Sequence, residues 1–121
     1  MNEFICYDRC STCQKAEKWL MEHNIAYQKR PIKEMNPSAE ELKAWAAQSG
    51  LPLRRFFNTS GLLYKKHNLK DLLPQMSAEE MLAMLESDGM LVKRPLFISD
   101  KTVLLGFRED EWSRALLDQM G

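Results

Sequence analysis

Histidine and cysteine are scarce in this chain, two and three of them among 121 residues. A structural zinc site takes four ligands. Beyond a close cysteine pair at positions 10 and 13, only Cys6, His23 and His67 are on offer, and none is paired at ligand spacing. Cys6 also has the strand parity opposite to that of a residue beside the loop that follows it. Net charge is missing as well, since 17 basic residues balance 17 acidic ones. That argues against a broad nucleic-acid or membrane footprint and leaves room for a local anion site. No apolar run approaches the roughly 20 residues of a membrane span. There is no internal repeat, and Met1-Asn2-Glu3 lacks the basic start of a signal peptide. An odd cysteine count without a leader speaks against structural disulfides, so the chain reads as cytoplasmic. In that compartment a C-x-x-C is more often catalytic or sensing than structural.

What is present is Cys10-Ser11-Thr12-Cys13, where an apolar run stops and a helical pattern begins. A thiol there meets unpaired N–H groups of a first helical turn and the positive end of the helix dipole, and both favour its anion. Arg9 adds a charge next door. An ordinary thiol, with a pKa of about 8.5, is only a few per cent thiolate at pH 7, whereas one shifted to about 6 is mostly thiolate. Cys13 is close enough in the first turn to close a disulfide with Cys10. Cys10 is therefore the candidate nucleophile and Cys13 the candidate resolving thiol, a redox dithiol that calls for no metal or organic cofactor.

Size and pattern point to one domain spanning residues 1–121. Phe4 to Cys6 reads as a buried strand, and Cys13, Ala16, Trp19, Leu20 and His23 mark one face of a helix ending near Asn24. Residues 25–32, with Tyr27, suggest a second strand. Ser38-Ala-Glu-Glu41 and Ser77-Ala-Glu-Glu80 are capping boxes that open two further helices. The first holds Leu42, Trp45 and Ala46 and stops at Gly50. The second holds Met81, Met84 and Leu85 and is expected to close at Gly89. Leu96–Ile98 and Thr102–Leu105 form a hairpin around Ser99-Asp100-Lys101, and residues 109–120 are helical, with Trp112, Ala115 and Leu116 on one face. The eight methionines read as core filling. A β-α-β unit with C-x-x-C at its first strand–helix junction indicates an α/β, thioredoxin-like fold. Its sheet is expected to be mixed and four-stranded, with helices on both faces and a helical insert.

Four stretches carry a resemblance: Cys10 to Leu20, Phe56-Phe-Asn-Thr-Ser-Gly61, Asp88 to Leu96, and Gly106-Phe-Arg-Glu-Asp-Glu-Trp112. With them the chain resembles the ArsC/Spx family, thioredoxin-fold proteins that include arsenate reductases and redox-controlled RNA polymerase regulators of the Spx and MgsR type. The match of Lys93-Arg94-Pro95 to the family's Arg-Pro implies that Arg94 stabilises the thiolate and an anion, and that Pro95 is cis and faces the thiol. Other positions where the reductases carry arginine hold Gln14 and Asn58, and a third falls at about Phe107, beside Arg108. Each lost charged hydrogen bond costs roughly 1.5–3 kcal/mol, so the resemblance implies weak or absent arsenate reduction. It also implies a cellular thiol reductant as partner, of the glutaredoxin/glutathione or thioredoxin type. In Spx-like members the second cysteine makes an internal disulfide switch. Gly50 matches the glycine at which those regulators meet the C-terminal domain of the RNA polymerase α-subunit, although a helix stop accounts for it equally. Arg54-Arg55 and Lys65-Lys66 form either a basic face or ordinary solvated charge, and His23 and His67 sit on helix surfaces without a role. Two functions are expected: a thiol–disulfide oxidoreductase of arsenate reductase-like type, or a redox-sensing transcriptional regulator.

Overall fold

The computed structural model describes residues 2–117. Strands β1 (Glu3–Cys6), β2 (Gln28–Pro31), β3 (Leu96–Ile98) and β4 (Val103–Leu105) form one mixed sheet in the order β2-β1-β3-β4. β3 is antiparallel to both its neighbours, with Phe4 opposite Phe97 and Phe97 opposite Leu104. That cross-strand row is apolar because side chains at matching parity share a face.

Helix α1 (Ser11–Glu22) follows β1 and buries Cys13, Ala16, Trp19 and Leu20, the stripe at three- and four-residue spacing. It ends through His23 and Asn24, the latter in the left-handed region at φ 54°. α1 packs with Phe4, Cys6, Phe97, Leu104 and Trp112 in one cluster. The fully buried Trp112 ring meets Phe97 at 5.5 Å, Phe107 at 5.0 Å, Trp19 at 6.1 Å and Phe4 at 6.5 Å between centroids. Such aromatic pairs add about 0.5–1.5 kcal/mol each beyond area burial. Trp112 belongs to α6 (Glu109–Trp112), which is a single turn continued by a π-helical segment at Ser113–Leu117. The helix expected over 109–120 is thus split in character, and its positions 118–120 lie outside the described residues.

The described residues fall into two compact units, 2–30 with 94–117, and 31–93. The second contains α2 (Ala39–Ser49), α3 (Leu62–Lys66), α4 (Leu69–Leu72) and α5 (Ala78–Ser87). Both capping boxes form: the Ser38 and Ser77 hydroxyls accept from the N–H groups of Glu41 and Glu80, and each carboxylate accepts in return. Gly50 caps α2 at φ +73°. Gly89 does not close α5, which stops at Ser87 with Asp88 extended. Its role is steric, since a Cβ at Gly89 would lie 2.3 Å from the carbonyl oxygen of Ile32. The methionines depart from expectation too: Met21 and Met35 are exposed and Met76, Met81, Met84 and Met90 only half-buried, so none of them fills the core. Branched and aromatic side chains fill it instead.

Candidate functional site

The loop between β1 and α1 is a tight turn in which the Cys10 N–H donates to the Tyr7 carbonyl at 3.0 Å. Gln14 braces it, its amide donating to the Asp8 carbonyl at 2.8 Å. Lys29 holds the other side, 3.0 Å from Asp8 and 3.1 Å from Glu17, and the Tyr27 hydroxyl donates to Glu17 at 2.8 Å. Cys10 is the N-cap of α1, with φ −91° and ψ 120°. Its thiol is half-buried, while Cys13, one turn on, is buried.

The sheet register explains how a distant arginine arrives. Ile5 pairs with Leu96 at the start of β3, so the segments running on to Tyr7 and back to Arg94 leave the sheet side by side. The guanidinium carbon of Arg94 lies 5.2 Å from the centroid of the Tyr7 ring, within cation–π range. Its Nε and Nη1 are buried without a hydrogen-bond partner. The Arg94–Pro95 peptide bond is cis, as the resemblance implies. The Pro95 carbonyl accepts from the Gly106 N–H at 2.8 Å, and the Gly106 carbonyl accepts from the Trp112 indole at 3.0 Å.

The three thiols are tuned apart. Partial burial opposes ionisation of Cys10, but the N–H of Cys13, its thiol, the N–H of Thr12 and Arg94 together hold Cys10 below the ordinary thiol value. Cys13 is pushed up to about 12, chiefly by burial and then by the charge and hydrogen bond of Cys10, against the stabilising Tyr7 N–H 3.4 Å from its sulfur. Burial pushes Cys6 up to about 11, with Lys29 opposing. Ionisation is thus favoured at Cys10 and opposed at its neighbour Cys13. This arrangement can carry out thiolate attack followed by resolution.

The fold brings Cys10, Cys13 and Arg94 together. Arg9, expected to assist, is exposed, and the guanidinium that reaches Cys10 is that of Arg94. Cys6 is not turned away from the pair; it shares the cluster of Cys13 and feels both other thiols. Gln14 is committed to the loop carbonyl. Asn58 belongs to the unit of residues 31–93, where its N–H donates to Leu91 and its side chain accepts from Ser60. Phe107 packs on Trp19 and Trp112, and Arg108 is the exposed N-cap of α6. His23 stacks on Trp19 at 4.3 Å and His67 ends α3, both exposed. Sequence reasoning missed Tyr7, whose only trace was an aromatic residue at the strand's end. Its contact depends on a pairing register that spacing does not reveal.

A model of the ArsC family matches residues 6–115. Over 109 residues the chain is 50% identical to the Bacillus subtilis (strain 168) protein YusI, covering 90% of this chain and 92% of that one. It is 31% identical over 107 residues to the global transcriptional regulator Spx of Enterococcus faecalis, covering 88% and 80% of the two chains. Its structure is similar to the crystal structure of an ArsC family related protein from Bacteroides fragilis. The TM-score is 0.91 at 52% identity, over 93% of this chain and 95% of that one.

Proposed function

Since the chain belongs to the ArsC family, we propose that it is a cytoplasmic thiol–disulfide oxidoreductase working through the Cys10/Cys13 dithiol. The observation that carries this is the opposed tuning of the two thiols, Cys10 below the ordinary value and Cys13 pushed up to about 12. The Cys10 thiolate attacks one sulfur of a substrate disulfide, forming a mixed disulfide and expelling the other sulfur as a thiolate. That step removes the negative charge of Cys10, and with it two of the influences that kept Cys13 protonated. Cys13 passes its proton to the departing thiolate or to water. It then attacks Cys10, releasing the second substrate thiol and leaving a 10–13 disulfide. Two electrons have passed to the substrate, and a cellular thiol reductant, two glutathione molecules with glutaredoxin or one thioredoxin-type dithiol, returns them.

Arg94 and the first-turn N–H groups favour the Cys10 thiolate. The test is titration with glutathione disulfide followed by peptide mass mapping. A dominant 10–13 bridge, lost in Cys10→Ser, is expected. A bridge to Cys6, or none, sinks the proposal.

A second function is favoured by the similarity to the transcriptional regulator Spx. It is that of a redox-sensing regulator docking on the C-terminal domain of the RNA polymerase α-subunit. Gly50, exposed and with nothing within 4 Å of a Cβ placed on it, is the residue proposed to meet that partner. Affinity capture with the oxidised and the reduced protein separates the two functions. Polymerase retained by one redox state only supports the regulator.

A further inference from the structure

A cavity of about 520 Å³ opens within the unit of residues 31–93. Its size lies in the range of roughly 300–1,000 Å³ usual for small-molecule sites. Arg54, Arg55 and Lys70 line it, together with Leu73, Met76 and Met81, and no acidic residue does. Among the described residues, no side-chain hydrogen bond or ion pair within the protein engages any of the three cations. Like charges gathered around an apolar recess repel one another and raise the local positive potential, which draws in an anion. The half-buried methionines add a soft lining that adapts to the shape of an apolar group.

We propose that this cavity binds an amphipathic organic anion. Its carboxylate, sulfonate or phosphate head lies against Arg54, Arg55 and Lys70, and its apolar body lies along Leu73, Met76 and Met81. The lining residues all belong to the unit of residues 31–93 and include no cysteine, so a Cys10→Ser, Cys13→Ser protein should bind equally well.

The experiment titrates the full chain with 1-anilinonaphthalene-8-sulfonate, followed by its fluorescence. One saturable site is expected, with a dissociation constant of roughly 10–100 μM, in keeping with the efficiency of a ligand of that size. Decanoate displaces the probe, whereas inorganic phosphate at the same concentration does not. The triple variant Arg54→Gln, Arg55→Gln, Lys70→Gln weakens binding at least about tenfold, while Lys65→Gln, Lys66→Gln leaves it unchanged. Methionine methyl NMR of the unaltered protein shows shifts at Met76 and Met81 and none at Met21, a readout that needs no variant to fold. The proposal is overturned by an absence of saturable binding, undiminished binding in a folded triple variant, or an equal loss in the lysine control. Competition by phosphate as strong as that by decanoate, or shifts confined to other methionines, overturns it too.

Discussion

At the residue scale, one aromatic residue links the parts of the candidate site. Tyr7 touches both halves of the site, its N–H on the Cys13 sulfur and its ring under Arg94. With Nε and Nη1 of Arg94 unbonded, the ring is a main support of that guanidinium. In a Cys13→Ser background, the alkylation rate of Cys10 against pH should give an apparent pKa well below the free thiol's 8.5 or so. Arg94→Ala should raise it. Tyr7→Leu should raise it as well and slow alkylation at pH 7 about two- to fivefold, the share that 0.5–1 kcal/mol of cation–π energy represents. Tyr7→Phe keeps the π face and should restore the rate. A titration near 8.5 in the parent removes the activated nucleophile, whereas a low value indifferent to Tyr7→Leu removes only the part given to the ring.

Helix ends are where single residues have structural leverage at the element scale. α1 carries the site because its N-cap is a cysteine, so the N–H groups that Ser38 and Ser77 satisfy at α2 and α5 are free here to stabilise a thiolate. Two glycines separate conformational from steric demand. Gly50→Ala places a side chain at φ +73° with open space around it, costing about 1–2 kcal/mol for the left-handed backbone. Gly89→Ala drives a Cβ into the main chain of Ile32. That overpacking costs about 1–3 kcal/mol and requires a backbone shift. Urea unfolding should therefore lower the midpoint for both variants, but backbone amide shifts around Ile32 should move only with Gly89→Ala. Equal and purely local effects would contradict the close approach.

Two measurements on the whole molecule report on the buried thiols and on the missing arginines. Burial pushes Cys6 up to about 11 and Cys13 up to about 12 in the folded protein, well above the ordinary thiol value. The unfolded chain therefore sheds protons that the folded chain keeps, and stability falls as pH rises from about 9 towards 12. Below 9 these two groups contribute no pH dependence. Cys10 has the opposite sign, its contribution being present at high pH and lost as pH falls through its lowered value. Each pH unit between the two titrations is worth 1.36 kcal/mol. Moving from pH 8 to 10.5 should thus cost about 2 kcal/mol per buried thiol, and Cys6→Ala should remove its part of the loss. Arsenate-dependent NADPH oxidation in the glutaredoxin-coupled assay should be weak or nil. Gln14 is spent on the loop carbonyl and Asn58 carries no charge, and losing one preorganised donor already costs about 10²–10³ in rate. Turnover at about 1 s⁻¹ or faster would show that other cations supply the missing charge.

What the sequence determined by itself is local. The two capping boxes, the left-handed stop at Gly50, the apolar stripe of α1 and the cysteine at its N-cap each depend on a handful of neighbouring residues, and each was legible from residue type and spacing. The family resemblance carried Arg94 and the cis proline across the rest of the chain. Only the tertiary structure decided which groups meet. Arg94 reaches Cys10 because Ile5 pairs with Leu96 and not with a residue one step away, and a one-residue slip would turn every side chain of that strand to the other face. The same long-range packing left the described methionines out of the core, filled the space beside Gly89 with the Ile32 carbonyl and put Cys6 in the cluster of Cys13. Side-chain periodicity says which face a residue occupies, whereas contact between distant segments is set by pairing register and by the volume left to fill, quantities that no local window of the chain contains.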